Sequence, residues 1–424
     1  MDITKFELQE FSDLGIDQKT FSELREIKGY DNLFDLRVEP CIDNSLFNFS
    51  IKSKNIVGVL SSSEYQVIVK PKIESANIFL MMNYAFGFEI NFPNDKSELE
   101  KLPDEIQYLF AYYFLESLKE FLKNHFSKNY VKKEEVFNAC IKGKVELSKY
   151  FKKYIPAGKR NLVPCTYFDM NADTLENQIL RYTLEIIRKF IFNDTNINST
   201  IKEILRPKSI AIEPYLSGIT LRKIRLEEFN RIRYVGRFKN YKPIHELCKF
   251  IISNNQMKLD SSTCPFRSFI FDMNKLFEKY VTGVIKKGAK YYGFESQENF
   301  IYSSTAFSKT IKPDITLTDK NNFKIVIDAK YKNVLTNEEE PIISNITNSD
   351  LFQLIAYSKH EKINASKSIL VYPLYGKATE TQLLKIKGFE DSSKYYLVGI
   401  HVTDIEKKTI LFQKHINNII YDEK

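Results

Sequence analysis

The 424-residue chain is long enough for two or three domains of about 100–200 residues each, and its 43% apolar content can build real cores. Lys and Arg exceed Asp and Glu by only 62 to 54, a mild basic balance that permits a phosphate-bearing partner without demanding one. The five scattered cysteines (Cys41, Cys140, Cys165, Cys248, Cys264) form no CxxC pair and no zinc spacing with the five histidines, which excludes a disulfide framework and a structural zinc.

The first residues, MDITKFELQEF, carry neither a basic leader nor an apolar signal core, and no stretch approaches the ~18 apolar residues of a membrane span. A cytoplasmic protein with no membrane partner is expected. Short runs rich in β-branched and aromatic residues at 46–51, 56–60 and 65–69, ending at Lys70-Pro71-Lys72, predict a small β-rich module. Residues 78–86 (IFLMMNYAF) predict a buried helix with Met81 and Met82 in its core. After a Pro/Asn/Asp break at 91–95, a long helix is expected over 102–126, opened by Pro103, Asp104 and Glu105. Its stripe of Tyr108, Phe110, Tyr112, Tyr113 and Phe114 reads as interior packing, not a base-stacking platform.

Lys142-Gly143-Lys144-Val145 reads as a turn or the start of a strand, with lysines that touch phosphate or a partner protein, or are simply solvated. The clearest amphipathic helix is 175–192, with Leu175, Ile179, Leu180, Thr183, Leu184, Ile187 and Ile191 at helical spacing. Residues 221–239 interleave Arg222, Lys223, Arg225, Arg231, Arg233, Arg237 and Lys239 with Ile, Tyr and Phe. Two readings stand there, a patch for a nucleic-acid backbone and a charged helix face.

From about residue 256 the order becomes helix (269–285), strand (294–302), hairpin, helix (350–361) and two further strands (366–372 and 395–402), a mixed sheet flanked by helices with a right-handed crossover. The loop 333–348, with Glu338-Glu339-Glu340-Pro341, reads as a flap near the site. The hairpin is IKPDITLTDKNNFKIVIDAKY, two strands at 311–318 and 323–331 joined by Asp319-Lys320-Asn321-Asn322. In its second strand a period of two puts Lys324, Val326, Asp328 and Lys330 on one face and Phe323, Ile325 and Ile327 on the other. If Asp314 faces the same way, two carboxylates converge beside one lysine, which suits a hard divalent ion such as Mg²⁺.

Asp314, Asp328 and the Ala329 carbonyl would hold that ion, Lys330 would position or deprotonate a water, and Glu278 on the helix 269–285 would complete the acid cluster. The chemistry expected is phosphodiester cleavage. Other Pro-Asp and acid-x-Lys pairs, such as Pro103-Asp104, Asp17-x-Lys19 and Glu406-x-Lys408, do not join a Pro-Asp strand to an acid-x-Lys strand across a short turn. The bland alternative is a surface hairpin with solvated charges.

KPD…IVIDAKYK followed by Gln353 and Tyr357 four apart on a helix (QLIAY) resembles the PD-(D/E)xK nuclease superfamily, and its QxxxY element resembles the RecB-like branch. VIVKPKI with FLMMNYA, KGKV, CTYFDMNADTLENQILRYTL and LFEKYV together resemble the McrC family, the nuclease subunits of McrBC-type modification-dependent restriction systems, over most of the chain. The resemblance implies three regions: an N-terminal β-rich, partner-contacting module over 1–95, a mostly helical middle over 96–255, and a PD-(D/E)xK nuclease domain over 256–424. It also implies DNA as substrate, Mg²⁺ as cofactor, and an oligomeric McrB-like AAA+ GTPase whose hydrolysis this subunit stimulates. Gln353 and Tyr357 take the supporting role of the QxxxY pair. The chain has no GxxxxGK[ST] phosphate loop, in agreement with that division of labour. A cleavage-inactive activator subunit and a stand-alone nuclease are the competing readings.

Overall fold

The computed structural model describes residues 4–26, 34–40, 47–61, 65–90, 106–193, 199–255, 267–289, 291, 293–296, 300–303, 308–332, 346–375, 383–385 and 394–421. By contact it divides into two compact units, Met1–Tyr113 with Ser253–Lys424, and Phe114–Ile252.

The first unit begins with β1 (Thr4–Gln9), β2 (Asp13–Ile16), α1 (Gln18–Glu26), β3 (Phe34–Pro40), β4 (Phe47–Ser53), β5 (Ile56–Ser61) and β6 (Tyr65–Lys70). β2, β4 and β3 form one antiparallel sheet, while β1 lies parallel to β6 and β6 antiparallel to β5. Leu24, Phe34, Ile51, Leu60 and Val67 pack between these strands. Asp17, a member of one of the stray acid-x-Lys pairs, caps α1 by accepting from the Thr20 amide at 2.9 Å. α2 (Ser75–Phe86) buries Met81 and Met82 and ends on Gly87 in the left-handed conformation. α3 (Ile106–His125) starts in this unit and ends in the other, with its whole aromatic stripe buried. The expected break at 91–95 and the Pro103-Asp104-Glu105 opening lie outside the described residues.

The second unit holds a sheet that the sequence reading did not pick out. β7 (Asn129–Asn138), β8 (Lys144–Val145) and β9 (Leu162–Asn171) pair antiparallel in the order β7-β9-β8. β7 is exposed along nearly its whole length, so it lacks the apolar-polar alternation that marks a half-buried strand. KGKV leads into β8, which is its last two residues, Lys144-Val145. Gly143 has φ +76°, a Cβ there would lie 2.5 Å from the Thr166 carbonyl oxygen, and Lys142 Nζ sits 4.0 Å above the Tyr167 ring. α4 (Leu175–Asn193), α5 (Ser199–Leu216) and α6 (Tyr241–Asn255) follow. On α4 Ile179, Leu180, Thr183, Leu184, Ile187 and Ile191 of the predicted stripe are fully buried, while Leu175 in the first turn is half-buried. Asn177 donates to the carbonyls of Ser127 (2.9 Å) and Ala172 (2.8 Å), and Asp173 accepts from the Thr220 amide (2.9 Å), so the DTLENQ stretch works as a bracket between segments. Residues 221–239 are not one charged helix but two short 3₁₀ turns, Leu226–Arg231 and Gly236–Phe238, because Arg222 is drawn onto Glu228 and Gln178.

The chain then returns to the first unit with β10 (Arg267–Asp272) and α7 (Met273–Gly288). Here the expected helix 269–285 needs correction. Residues 267–272 pair antiparallel with β5, and Asp272 caps α7 by accepting from the Asn274 amide at 3.0 Å, so the helix starts at Met273. α7 packs closely on α2, where a Cβ on Gly283 would lie 1.9 Å from the Tyr84 carbonyl oxygen. Gly283→Ala is expected to cost about 1–3 kcal/mol through overpacking against rigid backbone, read as a lower midpoint in urea unfolding with an unchanged slope.

The strand expected over 294–302 is two, β11 (Gly293–Ser296) and β12 (Phe300–Ser303), and they belong to different sheets. β13 (Ser308–Ile311) pairs with β12. β14 (Ile315–Thr318), β15 (Lys324–Ala329), α8 (Asn348–Lys359), β16 (Lys367–Leu374), β17 (Leu383–Lys385), β18 (Lys394–His401) and α9 (Ile405–Tyr421) complete the unit. Its main sheet has the order β11-β14-β15-β16-β18-β17, antiparallel at β14-β15 and parallel at β15-β16 and β16-β18, so α8 is a crossover between parallel neighbours. The whole is a mixed α/β architecture with several sheets. Of the predicted flap at 333–348, residues 333–345 lie outside the described residues. No helix among the described residues is long and apolar enough to cross a membrane.

Candidate active site

β15 sits in the middle of the main sheet, so Ile325 to Ala329 are buried on both faces. The hairpin reading therefore holds for pairing, with Ile315 opposite Ile327 and Thr318 opposite Lys324, but not for a solvated polar face. The turn closes as its residues require. Asp319 Oδ1 accepts from the amides of Asn321 (2.9 Å) and Phe323 (2.8 Å), and Asn322 takes the left-handed conformation at φ +64°.

Pro313 and Asp314 lie between β13 and β14, off the ladder, which frees Asp314 to swing across to the end of β15. Its Oδ2 accepts from the Ala329 amide at 2.8 Å. Asp328, one residue earlier, is 1% exposed, and Lys330 Nζ approaches its Oδ2 at 2.8 Å. That approach is an ion pair and not an aligned hydrogen bond, so the buried Oδ2 has no hydrogen-bond donor. Glu278 on α7 faces the same charges. Asp314, Asp328, Ala329 and Lys330 are thus neighbours at the end of β15, and Glu278 interacts with their charges from α7.

Burial, followed by the charges of Asp328 and Glu278, pushes the Asp314 carboxyl up to about 8. Burial, then Asp272, pushes Glu278 up to about 7, with Lys330 pulling the other way. Asp328 is raised as well, by burial, against the pull of Lys330. Burial works to lower Lys330, but the Asp328 carboxylate outweighs it and the ammonium is held charged. Three carboxyl groups in one recess, each disfavoured as an anion, make a site that gains from an added cation.

Gln353 and Tyr357 are the posts behind this recess. The Gln353 amide donates to the Tyr357 hydroxyl, which donates to the Lys312 carbonyl at 3.3 Å and so pins the segment that delivers Asp314. Burial pushes the Tyr357 phenol up to about 12, keeping it a donor. α8 is fixed by a capping box between Thr347 and Asp350, and Lys332 Nζ reaches both Asp350 oxygens at 2.8 and 2.7 Å.

Sequence reasoning missed Asp272, Lys332 and Asp350 as neighbours of the site. The Asp-before-helix signal would have found the first, and Thr-x-x-Asp at 347–350 the last.

The donor set is all oxygen, includes an orphaned buried carboxylate oxygen, and fits a hard divalent cation. Among the described residues no three His, Cys, Asp or Glu side chains are grouped closely enough to form a ready-made cage. Mg²⁺ asks for no such cage, since it is commonly held by one or two carboxylates with water and substrate phosphate.

The sequence model of the family described as "McrBC 5-methylcytosine restriction system component" matches residues 51–373. The chain is 24% identical over 338 residues to the "Type IV methyl-directed restriction enzyme EcoKMcrBC" of Escherichia coli (strain K12), covering 76% of this chain and 91% of that relative. Among solved structures it is similar to a chain of the "Refined half-complex from tetradecameric assembly of Thermococcus gammatolerans McrB AAA+ hexamers with bound McrC". That likeness has a TM-score of 0.52 at 18% identity, over 98% of this chain and 100% of the other, and it speaks to fold alone.

Proposed function

Because the chain belongs to the McrBC 5-methylcytosine restriction system component family, as an McrC-like member, we propose that it is the DNA-cleaving subunit of a modification-dependent restriction system, with a PD-(D/E)xK nuclease domain over 256–424. The observation that supports this reading is the clustering of Asp314, Asp328 and Lys330 at the end of one buried strand, with Glu278 within reach of their charges.

Asp314, Asp328 and the Ala329 carbonyl would hold Mg²⁺, which when bound supplies Lewis-acid polarisation of a phosphate oxygen. Lys330, kept charged by Asp328, orients the attacking water and offsets negative charge building on the phosphate oxygens, so it acts as an ammonium and not as a base. Glu278, with its carboxyl pushed up to about 7, would take the proton of that water. Gln353 and Tyr357 keep the Asp314 segment from drifting.

The partner is an oligomeric AAA+ GTPase resembling McrB, whose hydrolysis this subunit stimulates. The McrC-containing assembly that this fold resembles supports that choice, as does the missing phosphate loop. In addition to the expected partner-contacting module over 1–95, the β7-β9-β8 sheet offers a surface of the kind a protein covers. Phe168 (67% exposed) stands on it together with Lys132, Lys142 and Lys144. Phe168→Asp is expected to weaken co-sedimentation with the partner at least about tenfold while leaving the unfolding midpoint of the free chain within about 0.5 kcal/mol.

The direct test is reconstitution of this chain with its AAA+ partner, GTP, Mg²⁺ and a plasmid carrying 5-methylcytosine. Double-strand cuts that need all the components support the reading. Partner GTP hydrolysis stimulated without any cutting assigns an activator subunit instead, and cutting by the isolated chain without nucleotide assigns a stand-alone nuclease.

A further inference from the structure

The reacting groups leave unexplained a fully buried carboxyl at the other end of the chain. Glu10 directly follows β1, and its amide donates to the Lys70 carbonyl at 2.9 Å, so the residue is fixed to the end of β6. Its Oε2 accepts from the Tyr331 hydroxyl at 3.0 Å and from the Lys72 amide at 3.4 Å, while Oε1 has no hydrogen-bond partner. Phe11, next in the chain, has φ +63°, a conformation an aromatic residue seldom adopts. Its ring meets that of Tyr331 with centroids 6.1 Å apart and carries Lys72 Nζ at 5.1 Å from its centroid. A buried acid with one orphaned oxygen and a left-handed aromatic are both costly, and both stand in one turn that holds no reacting group.

What that turn holds is Tyr331. This side chain is 1% exposed, follows Lys330 directly, and packs on Phe277, the residue before Glu278, at 5.6 Å between ring centroids. Here the ladder no longer guides the chain. β15 ends at Ala329; Lys330 keeps one bond to the Val371 carbonyl at 2.9 Å, and the Lys332 amide already folds back onto the Lys330 carbonyl at 3.0 Å. The direction of the backbone at Lys330 is therefore set on one side by the sheet and on the other by where Tyr331 is seated.

We propose that Glu10 and Phe11 are positioning residues for Lys330, gripping Tyr331 from the turn after β1 so that the lysine is aimed at Asp328. The inference rests on Lys330 serving the cleavage reaction, and it gives the N-terminal strands a part in the nuclease site. Burial pushes the Glu10 carboxyl up to about 8, so the group is a neutral acid near neutral pH and glutamine is its isostere.

The test uses the full chain assembled with its AAA+ partner and compares Glu10→Gln, Glu10→Leu, Tyr331→Phe and the Leu/Phe double variant. Two readouts are taken: single-turnover cleavage of 5-methylcytosine plasmid, and the ¹³C signal of reductively methylated Lys330, assigned by its loss in Lys330→Arg. Glu10→Leu and Tyr331→Phe should each slow cleavage about tenfold or more at unchanged DNA half-saturation, and the double variant should be no slower than Tyr331→Phe, because both break the Glu10 contact while Tyr331→Phe also loses the approach of Tyr375. Glu10→Gln should stay within about twofold of wild type. The Lys330 methyl signal should move in Glu10→Leu and not in Glu10→Gln.

Losses that multiply in the double variant, or a Glu10→Leu protein with wild-type rate and signal, overturn the proposal. If Glu10→Leu does not fold, Tyr331→Phe carries the same decision by keeping the ring and losing only the hydroxyl; unaltered rate and signal there overturn it. If the wild-type chain cuts no DNA, the nuclease reading fails, and the Lys330 signal alone decides whether the turn aims the lysine.

Discussion

Asp328→Asn is expected to reduce DNA cleavage by about a thousandfold or more while leaving assembly with the AAA+ partner intact. The side chain is 1% exposed, so an isosteric amide keeps the packing of β15 while removing the charge that both a divalent ion and Lys330 depend on. Oδ2 is the decisive atom. It faces the Lys330 ammonium at 2.8 Å, so the substitution leaves that cation without its closest counter-charge. Removing one of three crowded carboxylates relieves repulsion on Asp314 but breaks the buried pair with Lys330, so the metal-free variant should melt somewhat lower than wild type while staying folded. Single-turnover cleavage and thermal melts on the same preparation check both halves. A variant that still cuts within tenfold of wild type would remove Asp328 from the reaction and, with it, the case for a shared ion.

The second large effect is a dependence of stability on pH that a divalent ion reverses. In the metal-free fold Asp314 holds its proton up to about 8 and Glu278 up to about 7, whereas in the unfolded chain both release it near the ordinary carboxylate value. Between roughly pH 4 and pH 8 the folded state thus binds more protons than the unfolded one. Stability from these groups is complete below the unfolded value and is lost as pH rises through about 7 to 8. Glu10, pushed up to about 8 by burial, acts in the same direction. The melting temperature without divalent ion should fall by about 5 °C or more between about pH 5 and about pH 8. Millimolar Ca²⁺, chosen as a cation of the same charge, should recover part of that fall in wild type by binding only the folded state. The recovery should vanish in Asp314→Asn and Asp328→Asn, and the part belonging to Glu10 should persist, since it lies away from the proposed ion. A melting curve flat across this range, or Ca²⁺ recovery retained in both variants, would contradict the placement of the cation.

The reach of the sequence differs from one element to the next. Helix 175–192 and the stripe on α3 were legible because their apolar spacing is local and repeats at the helical period. The hairpin was legible from its turn residues and β-branched runs. Residues 269–272 were not, because Phe-Ile-Phe-Asp followed by a helical pattern suits a helix as well as a strand, and only pairing with β5, some two hundred residues away, selects the strand. β7 was illegible for the opposite reason, since exposure along its length leaves no alternation to read.

The candidate site divides in the same way. Asp314, Asp328 and Lys330 stand on one hairpin, so short-range pattern is enough to propose that they meet; Glu278, from a separate helix, entered as the acid that would complete them. The seat of Tyr331, built from Glu10, Phe11 and Lys72, had no local signature at all. Chemical identity and nearest-neighbour geometry are written in consecutive residues, because hydrogen-bonded turns and side-chain alternation act over a few positions. Burial, and with it the raised carboxyl groups and the orphaned oxygen of Asp328, arises only when distant segments close over them and exclude water. The residues could therefore be named from the chain alone, while their charge state awaited the fold.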